Sequence, residues 1–372
     1  MRHVLVAPDK FKGSLTAAEV AATVADAVTR RRPEVPVRLL PVADGGDGTV
    51  DAAVAAGFRR VRTLVSGPTG QPVPASFATR GGTAVVELAE ASGLHRLPGG
   101  TPAPLTATSA GTGELIAAAL RTDCRRLVLG VGGSACTDGG AGMLSALGAR
   151  LLDGAGDELP PGGAALRGLD RLDLSGLPSR LSDVDIELAC DVDNPLLGPS
   201  GAAAVYGPQK GAGPAEVTVL EDGLRRWSEV AGAEYAGVPG AGAAGGVGFA
   251  ALALLGATRR DGIGLLLDLL GFDGALRGAR LVVTGEGSLD EQTLRGKAPA
   301  GVARAAAEAG VPVAAVAGRC LLSGDRLREA GIGSAYALTD LEPDPARCMA
   351  DARGLLHRRV IQLADDLLED AS

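Results

Sequence analysis

Residues 281–298, LVVTGEGSLDEQTLRGKA, constrain the fold more than any other stretch of the chain. The run Leu281-Val282-Val283-Thr284 is short, β-branched and closed by Gly285, which reads as a buried strand. A polar loop carrying Glu286, Asp290, Glu291, Gln292 and Lys297 follows, and a helix-like run begins at Ala298. In an open α/β sheet, a loop at the carboxyl end of a strand is where ligands bind. The competing reading is a solvated connection between strand and helix. Three other stretches share the pattern: PDKFKGS at 8–14, PVADGGDGT at 41–49 and GVGGSACTDGGAGM at 130–143.

The order of elements follows from these punctuation points. Residues 3–7 read as the first strand, and Thr16-Ala17-Ala18-Glu19 matches a capping box that opens a helix to about residue 32. Residues 36–41 and 58–65 read as the next strands with a helix between them, so the chain begins βαβαβ, the start of a doubly wound sheet. The texture changes at SGPTG, residues 66–70, and residues 73–79 and 83–88 read as a hairpin. Residues 237–248, nearly all Gly, Ala and Pro, read as a flexible loop, and residues 344–368 as a terminal helix. Crossover units return near residue 280. At 372 residues the chain is expected to form two domains. The simplest division is a doubly wound, Rossmann-like α/β domain from residues 1–65 and 281–372, with a second α/β domain inserted at 66–280.

Composition narrows the function. Aromatics are only 2% while Gly numbers 56, so the core must be Ala, Val and Leu, and many glycines are expected in ligand-facing turns. A net charge of −8 with no basic cluster beyond Arg30-Arg31-Arg32 argues against nucleic acid as a partner. No apolar run approaches the ~20 residues of a membrane span. Five scattered cysteines read as reduced thiols, and Met1-Arg2 leads straight into a strand, so a cytoplasmic protein without a signal peptide is expected.

The residues of the loops suggest several chemistries. Gly130-Val131-Gly132-Gly133-Ser134-Ala135, with Asp153 beyond it, outlines a dinucleotide fingerprint. The same residues also suit an anion nest at a helix N-terminus, or plain tight packing. Lys10, Lys12 and Ser14 place two cations and a hydroxyl after the first strand, suited to phosphate or carboxylate. Asp44 and Asp47 sit in a glycine turn and suit a hydrated Mg²⁺, with a helix N-cap as the alternative. Asp191-Val192-Asp193-Asn194-Pro195 follows a short strand at 186–190. The three histidines lie outside every cluster, so a general base is expected to be an Asp. Asp191, held by a strand end, is the first candidate. No Walker A motif is present.

Taken together, PDKFKGSLTAAEVA, ADGGDGT, GVGGSACTDGGAGML, CDVDNPLLGPSGAAAVYGPQKGA and TGEGSLDEQTLRGKAP resemble the type I glycerate kinase family over nearly the whole chain. That resemblance implies a two-domain α/β enzyme that phosphorylates D-glycerate with ATP and Mg²⁺, typically at the 2-hydroxyl. It implies small-molecule partners and leaves the oligomeric state open. With it, Asp191, Asp290 and Lys12 are expected to be catalytic, and Asp44 and Asp47 to hold the metal. Substrate and phosphate contacts are expected from Lys10, Ser14, Gly132, Gly133, Ser134, Thr137, Asp138, Asn194, Gln209, Lys210, Glu286, Gln292 and Lys297. An NAD-linked hydroxyacid dehydrogenase and a non-catalytic ligand-binding regulator are the rival readings.

Overall fold

The computed structural model describes residues 2–368. In chain order its strands are β1 (His3–Val6), β2 (Val37–Leu39), β3 (Arg59–Ser66), β4 (Pro72–Arg80), β5 (Thr83–Glu87), β6 (Arg126–Gly130) and β7 (Arg150–Leu152). They continue with β8 (Arg171–Asp173), β9 (Asp185–Ala189), β10 (Thr258–Arg260), β11 (Ala279–Leu289), β12 (Val313–Cys320) and β13 (Ser334–Ala337). The chain divides into two compact α/β units.

The first unit comprises residues up to Asp44, Asp51–Gly57 and residues from Asp261 onward. Its sheet runs β13-β12-β11-β1-β2, all parallel. A parallel sheet must be covered on both faces, and alternation along the strands does this. Val4, Val6, Val283 and Val316 pack under the helices Ala17–Arg31 and Ala352–Leu367. Leu5, Ala7, Val282 and Ala315 pack on the other side, under Gly262–Leu270 and Ala298–Glu308. The first helix begins where its capping box predicts, with the Thr16 hydroxyl accepting from the Glu19 amide and the Glu19 carboxylate from the Thr16 amide.

The second unit comprises Gly45–Val50 and Phe58–Arg260. Its sheet runs β10-β9-β6-β5-β4-β3, parallel from β10 to β5 and antiparallel through β4 and β3. One core of Val, Leu and Ala closes around Trp227 and Phe249. Among the described residues, no helix is long and apolar enough to cross a membrane.

Five expectations are corrected. β3 is not the third strand of the first sheet. It pairs with β4 over eight residues, because a strand next to a tight SGPTG turn folds back on its neighbour. The unit boundaries therefore fall near residues 58 and 260, not 66 and 280. β11 does not stop at Gly285. It runs on to Leu289, since the long β12 offers partners as far as Cys320. Residues 237–248 are not a loose loop either. The helix Ala243–Leu254 begins within them, Ala241, Ala243 and Val247 are buried, and Ala244, Gly245 and Gly246 form a left-handed run. Small residues are needed there for close packing. The terminal helix is broken in two, Pro345–Ala350 and Ala352–Leu367.

Candidate active site

In the first unit the strand exits bring together a charged group. The loop after β1 carries Asp9, whose carboxylate accepts from the Lys10 amide at 2.6 Å and lies 3.9 Å from the Lys10 ammonium. Backbone bonds from Asp9 N to Gly285 O and from Ala7 N to Val283 O pin this loop to β11. On β11, Glu286 accepts from the Thr293 hydroxyl at 2.5 Å, and the Lys297 ammonium lies 3.6 Å from Glu286 and 3.9 Å from Asp290. Asp290 also accepts from the Gln292 amide at 2.9 Å, which closes the turn after the strand. Burial raises the pKa of Glu286. Thr293 and Lys297 oppose that shift, while Asp290 and Asp44 add to it. Asp44 and Asp290 thus each repel the Glu286 carboxylate, balanced in part by Lys297. Lys12 and Gln292 are exposed, and the Ser14 hydroxyl donates to Phe11 O at 3.1 Å within its own loop.

Asp9 has the most displaced carboxyl of this group. Burial pushes its pKa from an ordinary 3.8 up to about 7, with Asp44 and Glu286 adding to the shift and Lys10 opposing it. The folded protein therefore keeps a proton on Asp9 that the unfolded chain has lost, over the window between those two values. Stability falls as pH rises through that window and levels off above it. In metal-free buffer, Asp9→Asn is expected to raise Tm over the wild type at about pH 8 and to change it little at about pH 4. Equal changes in the melts at both pH values would show that Asp9 is not the titrating group.

In the second unit two glycine turns pack backbone to backbone. The Gly132 amide donates to Gly45 O at 3.3 Å, and a Cβ on Gly132 would lie 2.5 Å from the Gly46 Cα. Gly133 has φ +73°, and a Cβ there would sit 2.2 Å from the Asp47 Oδ1. Only glycine fits both positions, so tight packing is one reason for this glycine-rich pattern. Glu87, at the end of β5, accepts from the Gly48 and Val50 amides at 3.1 and 3.0 Å and so fixes the 45–50 turn. Burial pushes its pKa up to about 8, opposed by the Val50 amide and reinforced by Glu90.

The anion nest is corrected by the helix Ala141–Ala146. Its first amides are already taken: Gly140 and Gly142 donate to Asp138, and Met143 donates to the Ser109 hydroxyl. Asp138 is 1% exposed and also accepts from Ser109 N, the Ser109 hydroxyl and the Thr108 hydroxyl. It joins two helix starts and does not face outward. The dinucleotide outline fails on topology. β6 is flanked by β5 and β9, whereas Asp153 follows β7 of a separate two-stranded ribbon and caps a turn through the Ala155 and Asp157 amides.

Lys210, expected to meet substrate, is 2% exposed. Its ammonium donates to the Ser134 hydroxyl at 2.8 Å and to Cys136 O at 2.5 Å. Burial lowers its pKa, and Cys136 and Asp138 partly restore it. Thr137 is fully buried, and Gln209 is exposed.

Asp191 lies two residues beyond the end of β9 and is half-buried. The loop it opens is braced at several points. Arg259 donates to Cys190 O at 3.3 Å and pairs with Asp193 at 2.6 Å. The Asn194 amide donates to Ser200 O at 2.7 Å and its carbonyl accepts from the Tyr206 hydroxyl at 2.6 Å. Asn194 is therefore spent on shaping the loop.

Comparison with known proteins decides the family. The glycerate kinase family model matches residues 4–368. Glycerate kinase of Bacillus subtilis (strain 168) is 46% identical over 342 residues, covering 90% of each chain. The chain belongs to the glycerate kinase family. Glycerate 2-kinase of Escherichia coli (strain K12) is 44% identical over 323 residues, covering 85% of this family member and 84% of that protein. The crystal structure of a candidate glycerate kinase 2 from Salmonella typhimurium LT2 superposes with a TM-score of 0.82 at 40% identity, over 98% and 99% of the two chains.

Within this family member the sequence reading overlooked Asp9, Glu87 and Thr293 as functional candidates. Asp9 stood in a quoted motif, but its burial was not visible. Thr293 lies seven residues from the Glu286 it bonds, and Glu87 lies 39 residues from Gly48. No local pattern signals contacts of the second kind.

Proposed function

We propose that this family member transfers the γ-phosphoryl group of ATP to D-glycerate, at the 2-hydroxyl, giving 2-phosphoglycerate. The observation that carries this reading is the near full-length similarity to Escherichia coli glycerate 2-kinase. The residues are of the kind the reaction needs. Phosphoryl transfer asks for positioning and charge neutralisation more than for covalent steps, and Lys10, Lys12 and Lys297 supply positive charge beside loops at strand exits.

Asp191 is assigned as the base that accepts the proton of the attacking hydroxyl, oriented by a loop that Arg259, Asn194 and Tyr206 brace. Asp44 and Asp290 are assigned to Mg²⁺, beside the Glu286 carboxylate. Among the described residues no group of three or more His, Cys, Asp or Glu is arranged to hold a metal alone. That fits Mg²⁺, which takes one or two carboxylates and completes its shell with water and phosphate oxygens. The repulsion among these carboxylates is also what a bound cation relieves. When bound, Mg²⁺ supplies charge neutralisation at the phosphate oxygens. Asp47, paired with Asp44 in the sequence reading, lies instead against Gly133 and raises the pKa of Glu87, so it is assigned to the glycine turn.

A coupled assay of ADP release from ATP and D-glycerate tests the activity, and NMR of the product distinguishes the 2- from the 3-phosphate. No ADP release by folded protein with Mg²⁺ present would sink the reading. Asp290→Asn is expected to raise the Mg²⁺ concentration needed for half-maximal rate about tenfold, the share of one ligand among several. An unchanged Mg²⁺ titration would remove Asp290 from the metal site.

A further inference from the structure

A cavity of about 650 Å³ opens at the amino-terminal edge of the first unit's sheet, where β11 and β12 begin. Its walls carry Arg2, Arg277 and Arg280, with Asp273 and Glu308. In a chain of net charge −8, three guanidinium groups around one hollow against two carboxylates make a local positive excess. Neither Arg2 nor Arg277 forms an ion pair among the described residues. The hollow is of the size that holds small molecules. It is also remote from the carboxyl-end group. Arg280 and Glu286 stand six residues apart on β11, about 20 Å at roughly 3.3 Å per residue.

We propose that this cavity is a second ligand site, one for a small phosphate monoester that also bears hydroxyl groups. Guanidinium forks match phosphate oxygens in paired hydrogen bonds, which fits Arg2, Arg277 and Arg280. Asp273 and Glu308 accept from hydroxyls of the same ligand. They also disfavour a bare polyanion, because their own charge opposes it. The site is independent of the catalytic assignment, since none of its residues takes part in that chemistry.

The test is calorimetric titration of the full-length protein with sn-glycerol 3-phosphate at low ionic strength. The proposal expects saturable binding, weakened about tenfold or more in the double variant Arg277→Ser/Arg280→Ser, as the loss of a charge-assisted paired contact implies. Binding is expected within about twofold of wild type in Lys297→Ala, which removes a cation from the carboxyl-end group instead. Glycerate phosphorylation should be retained by the arginine variant. Absence of saturation by about 20 mM, affinity unchanged in the arginine variant, or loss of binding in Lys297→Ala overturns it. Should the arginine variant fail to fold, Ala309→Glu places a carboxylate at the exposed rim. It is expected to weaken binding to a similar degree, and unchanged affinity there overturns the proposal equally.

Discussion

Asp191→Asn is expected to lower kcat for glycerate phosphorylation by about 10²–10⁴, the usual share of general base catalysis, with an unchanged melting temperature. The expectation rests on position. β9 is hydrogen-bonded on both sides, by β6 and β10, so its exit is among the better-fixed points of the second unit. Arg259, Asn194 and Tyr206 then hold the loop through bonds that do not involve the Asp191 carboxylate. Replacing that carboxylate by an amide keeps size and shape and removes the charge and the proton acceptor. The rival base is Asp9, which burial sets near neutrality. Full activity in Asp191→Asn, together with loss of activity in Asp9→Asn and an acid limb near pH 7 in the wild-type kcat profile, would transfer the role to Asp9.

Asp138→Ala is expected to destabilise the protein by about 3–5 kcal/mol, one of the larger effects a single substitution produces. Five protein donors converge on this buried carboxylate, three of them backbone amides at or beside helix starts. Losing the acceptor would leave the buried ones, Ser109 and Gly140 among them, unmet in the interior. For a unit of this size the change corresponds to a Tm lower by roughly 10 °C. Asp138→Asn should fall between, because one amide oxygen still accepts while the new NH₂ meets donors. A melting temperature for Asp138→Ala within about 2 °C of wild type would show that the carboxylate does not hold the two helices together.

The sequence was most informative where contacts are local or the motif is long. The Thr16–Glu19 cap spans four residues, and the β4–β5 hairpin turns within two. Both are visible to propensity and turn chemistry. The ordered run of glycine and carboxylate motifs was enough to indicate the family.

Which loop residues face outward was not legible in the same way. Asp138 and Lys210 both read as ligand-binding groups. Asp138 is committed to Ser109, 29 residues away, and Lys210 to Ser134 and Cys136, 76 and 74 residues away.

By itself, then, the amino-acid sequence determined the α/β class, the capping and turn chemistry, the aromatic-poor core and the family, because these depend on short-range patterns and on the order of motifs. Only the tertiary structure decided that β3 joins the second sheet, that Asp9 and Glu87 are buried carboxyls with raised pKa values, and that Asp138 is spent inside the fold. Burial and the electrostatic field at a side chain are set by groups distant in the chain, and a linear pattern carries no measure of them.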